Sequence, residues 1–170
     1  MGDVLTKIES RKDGSVSRDA ILEFEKTLKN VEGHIEGDTP HCPLEHSFSD
    51  GIYVRQISIP AGTLLTGKIH KHDHPNFLLK GEVIVVTEDG EETLIAPRAM
   101  MSKAGTKRAL YAVTDLVWTT IHHNPTNTQD LGELEKIVIA PSYKDYDRFI
   151  KLESGTFRQL KKKLIKTLSL

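Results

Sequence analysis

From Gly51 to Asn124 the sequence is a succession of short β-rich runs cut by turn residues, and no other feature limits the fold as tightly. The runs are GIYVRQISI, TLLTGKIHKHDH, NFLL, EVIVVTE, ETLIAP, KRALYAV and LVWTTIHH, dense in β-branched and aromatic residues. Pro60-Ala61-Gly62 and Asp89-Gly90 supply turn chemistry between them. Runs this short cannot bury their own surfaces, so they must pair with one another and fold into a sandwich or a closed barrel.

The flanks read differently. Residues 1–16 are polar and rich in turn formers, which predicts a flexible arm or an extended segment on a neighbour. Ser17 is placed to cap a short helix with Ile21, Leu22, Phe24 and Leu28 on one side and Gly33 beyond its end. The stretch EGDTPHCPLEHSFSDG has loop composition, so residues 17–50 are expected as helix and loop packed on a barrel of residues 51–140. After the turn-rich NPTNTQDLGE comes the apolar KIVIAP and then a helical tail over residues 141–170, with Thr156 and Gln159 forming a capping box. Phe157, Leu160, Leu164 and Leu168 fall on one face of that helix, and the rest is basic.

A chain of 170 residues suits one compact domain. Charged residues make up 28% at a net charge of −1, so no dedicated nucleic-acid or membrane binder is indicated. The run Lys161 to Lys163 reads as the solvated face of the last helix, since no aromatic side chains interleave with the charges for base stacking. The single cysteine, Cys42, and the lack of an apolar leader at the N-terminus point to a reducing cytoplasm. His41, Cys42 and His46 lack the spacing of a zinc finger and are expected as loop packing.

The sharpest chemical feature is His70-Lys71-His72-Asp73-His74, which holds three of the eight histidines within five residues. Side chains on a strand alternate faces, so His70, His72 and His74 all project to one side if the segment stays extended. Three neutral imidazoles leave open positions on a divalent transition metal such as zinc, iron, nickel or manganese, the style of a catalytic site. The alternative is a polar rim of histidines bonded to water and carboxylates.

At these residues the sequence resembles the cupin superfamily. HKHDHPNFLLKGEVIVV is similar to its first motif, a His-x-His pair followed by a Glu and a closing Gly. With Gly81 as the closing glycine, His70 and His72 are the pair and His74 falls near the Glu position, with Asn76 as a rival occupant. SKAGTKRALYA resembles the second motif with Gly105 on its glycine; the histidine position then falls on Arg108, a departure from the family's four-ligand set. The resemblance implies an all-β cupin-type double-stranded β-helix, or jelly-roll barrel, with short amphipathic helices at either end. HCPLEHSFSDGIYVRQ and WTTIHHNPTNTQDL also resemble small cupin-like proteins of tailed bacteriophages, which carry no assigned reaction. That likeness implies a host cytoplasm or a virion as location.

His122 and His123 end the last run, and only one can point inward; either completes a metal shell, or both cap the strand at the rim. Arg108 inside a barrel would demand an anionic ligand, whereas in a basic turn it is solvated. Tyr53 and Tyr111 are expected as pocket wall, with a proton-donor role open to either. The expectation is a metal-binding barrel acting on or holding an anionic small molecule, or else a non-enzymatic module used for assembly or sequestration. Uncovered strand edges predict a homodimer or larger homo-oligomer.

Overall fold

A computed structural model describes residues 8–32 and 39–168, with side chains described as far as Leu160. Eleven strands and three helices follow in the order α1 (Arg18–Lys29), β1 (Leu44–Ser49), β2 (Ile52–Ile59), β3 (Leu64–Thr66), β4 (Ile69–His70), β5 (His74–Lys80), β6 (Glu82–Thr87), β7 (Gly90–Ile95), β8 (Arg98–Ser102), β9 (Ala109–Ala112), β10 (Leu116–His123), α2 (Leu131–Val138), β11 (Ile139–Ala140) and α3 (Tyr143–Leu168). One sheet has the order β1-β2-β10-β5-β8 and the other β3-β9-β6-β7, all antiparallel, while β11 and β4 form a separate pair. The chain passes back and forth between the sheets, and the orders β2-β10-β5-β8 and β3-β9-β6-β7 are those of a jelly roll, the expected double-stranded β-helix. No described helix is long and apolar enough to cross a membrane.

Period-two alternation sorts the residues between faces. In the four-stranded sheet Leu65, Val83, Val85, Leu94, Leu110 and Ala112 point inward, onto Ile59, Leu78, Leu116 and Trp118 of the opposite sheet. Leu64, Ile84, Val86, Ala109 and Tyr111 point outward and are covered by Ile21 and Phe24 of α1 together with Ile8 and Val16. Tyr111 therefore lies on the outer face, away from the barrel interior. Gly81, between β5 and β6, has φ +93°, and a Cβ there would lie 2.3 Å from the Asp115 carbonyl oxygen, so this corner admits only glycine.

Several flanking segments differ from the sequence expectation. Residues 8–16 are seated rather than free: Ser10 bridges Val16, Val16 N–H donates to Glu88 O (3.0 Å), and Ile8 and Val16 are buried. Residues 1–7 lie outside the described residues. Ser17 caps α1 through Ala20 N–H (3.1 Å), but Leu22 is on its exposed side, and Gly33 lies outside the described residues. LEHSFS, read as loop, is β1: Leu44, His46 and Phe48 continue the inner face while Glu45, Ser47 and Ser49 face water. NPTNTQDLGE leads into α2, capped by Asp130 accepting from Glu133 N–H (2.8 Å). The helical tail expected over residues 141–170 is α3 from Tyr143, capped by Ser142, which accepts from Asp145 N–H (3.2 Å) and donates to Asp145 Oδ2 (2.6 Å), so Thr156 and Gln159 lie within the helix and form no cap.

Candidate metal and anion site

The register of the larger sheet builds one end of the barrel interior. Phe48 pairs with Tyr53 and Tyr53 with His122, while His74 pairs with Ser102. One step deeper, His46, Arg55, Thr120, Asn76 and Met100 form the next row. β10 thus sends His122 inward and His123 outward, which settles their orientation by alternation.

His70 reaches the same space from β4, which is held in place from both sides. His70 and Ile69 pair with Ile139 and Ala140 of β11, Lys71 N–H donates to Val138 O (2.8 Å), and Gly105 N–H donates to His70 O (2.8 Å). Between β4 and β5 the chain bends at Lys71 and His72 instead of staying extended. Asp73 fixes that bend by accepting from Ala104 N–H (2.8 Å) and Lys103 Nζ (3.2 Å).

His70, His74 and His122 therefore converge, each offering a ring nitrogen within 4.8 Å of the others. Their ring centroids stand 4.2 Å (His70 and His74), 5.0 Å (His70 and His122) and 4.7 Å (His74 and His122) apart. His72 stands outside this group. The bend turns it away, so its ring meets His123 edge-on at 4.5 Å and Phe149 of α3 at 5.3 Å. The ligand group expected from alternation, His70, His72 and His74, is thus not the one that comes together; His122 stands where His72 was expected.

Hydrogen bonds set the tautomers. His74 Nδ1 donates to the His72 carbonyl (3.1 Å), which leaves Nε2 as a lone pair. His122 Nε2 lies 3.1 Å from Thr120 Oγ1, whose own proton goes to Arg55 O (3.3 Å), so His122 Nε2 is the donor and its Nδ1 is free. Among the described residues His70 Nδ1 and His74 Nε2 are buried with no hydrogen-bond partner. Burial, followed by mutual repulsion with His74 and His122 and by the charges of Arg108 and Arg55, pushes His70 down to about 2. Burial and the neighbouring His74 push His122 down to about 3, and burial lowers His74 as well. All three rings are neutral at physiological pH.

Arg108 precedes β9 and faces inward by the same parity as Leu110 and Ala112. Its guanidinium donates to Ser102 Oγ, a neutral acceptor, and burial pulls its pKa below the ordinary arginine value. Asn76 is saturated by protein: its Nδ2 donates to His74 O (3.1 Å) and Ser102 Oγ (2.5 Å), and its Oδ1 accepts from Trp118 Nε1 (3.0 Å). It positions the strand rather than offering a ligand contact. The Tyr53 hydroxyl pairs with His46 Nδ1 (2.7 Å) while its ring lies 5.9 Å from that of His122, so Tyr53 walls the site. Ser102 and Thr120, which orient Arg108 and His122, had no local signature beyond their strand parity.

Neither a protein-family model nor a curated protein matches the sequence. Among solved structures the chain is similar to a cupin superfamily protein from Desulfitobacterium hafniense, at 17% identity and a TM-score of 0.43, over 54% of this chain and 84% of that one. It is similar to KdgF from Halomonas sp. at 12% identity and a TM-score of 0.46, over 60% of this chain and 96% of that one. It is also similar to an RmlC-like cupin family protein with a double-stranded β-helix fold from Methanocaldococcus jannaschii, at 13% identity and a TM-score of 0.42, over 52% and 85%.

Proposed function

We propose that the barrel holds a divalent transition metal on His70, His74 and His122 and presents it to an anionic small molecule oriented by Arg108. The supporting observation is the pair of buried, partnerless nitrogens, His70 Nδ1 and His74 Nε2, in a group whose three ligand atoms lie within 4.8 Å of one another. Leaving a buried polar atom unpaired costs about 1–3 kcal/mol, and a metal ion offsets that cost. Three imidazoles without a thiolate suit zinc, iron, nickel or manganese with open positions. When bound, such a metal supplies Lewis acidity.

The chain itself supplies the rest. Arg108 is a half-buried cation whose side-chain hydrogen-bond partner among the described residues is a neutral hydroxyl. A partly desolvated guanidinium without a carboxylate gains from an incoming anion, and its planar fork matches a carboxylate or phosphate. Tyr53 and the barrel wall restrict water around that anion. Turnover and sequestration both begin with this binding step.

Elemental analysis of the purified protein tests the ligand group. Near-stoichiometric metal is expected in the parent and in His72→Ala, and none in the folded triple variant His70→Ala, His74→Ala, His122→Ala. Metal lost in His72→Ala but retained without His122 would reject the assignment. For the anion, oxalate or phosphate should raise the melting temperature of the parent but not of Arg108→Met; equal shifts in both would remove Arg108 from the site.

A further inference from the structure

Just beyond the row of Phe48, Tyr53 and His122, two loops are clamped to each other. One is the turn between β1 and β2, with Asp50 and Gly51; the other is the segment that leaves β10, from Asn124 to Gln129. Asn124 N–H donates to Gly51 O (2.7 Å), Gly51 N–H donates to Asn127 Oδ1 (2.6 Å), and Asn127 Nδ2 donates to Asp50 Oδ1 (2.8 Å). Thr128 Oγ1 donates to Glu133 Oε2 (2.7 Å), which ties the second loop to the first turn of α2. Between the loops is a hollow of about 240 Å³ lined by Phe48, Ser49, Asp50, Asn124, Asn127 and Gln129.

Asn124 is the buried member of this lining, 1% exposed, whereas Ser49, Asp50, Asn127 and Gln129 form an exposed rim. Its N–H is spent on Gly51 O, its carbonyl accepts from Asn127 N–H (3.0 Å), and its Nδ2 donates to Thr128 O (2.9 Å). Only Nδ2 can donate to Thr128 O, so this bond fixes which end of the amide is left for the hollow. That end is Oδ1, which is buried and has no partner among the described residues. A buried acceptor left unpaired is costly, and a donor or a cation in the hollow offsets that cost.

The lining selects between ligands. Both asparagine side-chain nitrogens are spent on protein acceptors, while Asp50 Oδ2 has no hydrogen-bond partner among the described residues. With Ser49 Oγ and Gln129 Oε1, the hollow offers oxygen atoms around one negative charge, and no imidazole or thiolate. Such a set repels anions and suits a hard cation rather than a transition metal. Calcium takes roughly six to eight oxygens in flexible geometry, waters included, whereas magnesium demands a near-ideal octahedron. Loop side chains around a hollow this wide match the first.

We propose that this hollow is a hard-cation site of the calcium type, with Asn124 Oδ1 and the Asp50 carboxylate as its protein ligands. The ion pins the β1–β2 turn to the exit of β10. The site is separate from the histidine group, whose imidazoles are poor ligands for such an ion.

Thermal melting of the chelator-treated full chain tests this. At about 10 mM calcium chloride the melting temperature should rise by at least about 3 °C over a potassium chloride control of equal ionic strength. Magnesium chloride should give a smaller shift. Asp50→Asn keeps an acceptor for Asn127 Nδ2, so it should retain the parent's circular dichroism while its calcium affinity falls about tenfold or more. Asp89→Asn, at the exposed turn between β6 and β7, should respond as the parent does, and so should the triple variant His70→Ala, His74→Ala, His122→Ala. No shift beyond the salt control would leave Asn124 Oδ1 to an ordered water only and overturn the proposal. A shift that survives Asp50→Asn, or one that disappears with the three histidines, would do the same.

Discussion

His74 and His122 keep a lone pair free because a neighbour takes the other ring nitrogen's proton: the His72 carbonyl for one and the Thr120 hydroxyl for the other. The same burial that protects those lone pairs makes the fold sensitive to acid. An unfolded histidine titrates near 6.5, whereas His70 is held at about 2 and His122 at about 3. Below 6.5 the unfolded chain takes up protons that the folded chain refuses, so stability present at neutral pH is lost as pH falls from 6.5 toward 3. Each of the two contributes up to about 1.4 kcal/mol per pH unit in that window. For metal-free protein the urea midpoint should therefore fall steadily between pH 7 and 5, and His122→Gln should flatten the dependence; a flat parent profile would show that these rings are not buried neutral. The cluster itself was legible as three histidines in five residues. Which three converge was not, because the bend at His72 is anchored by Lys103 and Ala104, remote in sequence, and His122 arrives from a strand whose register no local pattern specifies.

The turn carrying Gly105 joins the site to α3, and it exemplifies how an element is placed by contacts outside itself. Gly105 has φ +79°, its N–H holds His70 O, and a Cβ on it would lie 2.5 Å from the Tyr146 ring of α3. Gly62 has nearly the same φ, +81°, with nothing within 4 Å of such a Cβ. Gly62→Ala should cost about 1–2 kcal/mol, the left-handed backbone term alone. Gly105→Ala should cost at least about 1 kcal/mol more by chemical denaturation and should reduce metal content, because α3 and His70 are displaced together. Equal losses in the two variants would mean that Tyr146 yields freely. Elements rich in β-branched residues, such as β2, β6 and β10, were readable from composition. β8, with the sequence RAMMS, has no β-branched residue and was not; it is a strand because Ala99, Met100 and Met101 pair with β5. α2 and the cap of α3 carried their signals in Asp130 with Glu133 and Ser142 with Asp145, but turn-forming neighbours masked them.

At the scale of the molecule the two sheets have different needs. The outer face of β1-β2-β10-β5-β8 carries polar pairs such as Thr119 with Gln56 (3.0 Å) and Gln56 with Glu45 (3.3 Å), and it tolerates water. The outer face of β3-β9-β6-β7 is apolar, so it requires α1 and residues 8–16 as its cover. Polar contacts fix that cover in register: Lys107 Nζ, itself buried, lies 2.8 Å from Glu25, and Arg18 pairs with Glu88 at 3.0 Å. Residues 8–16 of the segment that composition marks as a free arm are thus part of the folding unit, because Ile8 and Val16 meet a surface that only the assembled sheet creates. Ile21 is fully buried at the centre of this contact. Ile21→Ala should cost about 2–5 kcal/mol and shift one cooperative transition for the whole chain, seen alike by far-ultraviolet and tryptophan signals. Trp118 lies in the other core, between the sheets, so its fluorescence reports the barrel and not the cover. A loss under about 1 kcal/mol, or a helix signal that melts before Trp118 responds, would mean that the barrel folds without its cover and that the exposed apolar face is tolerated.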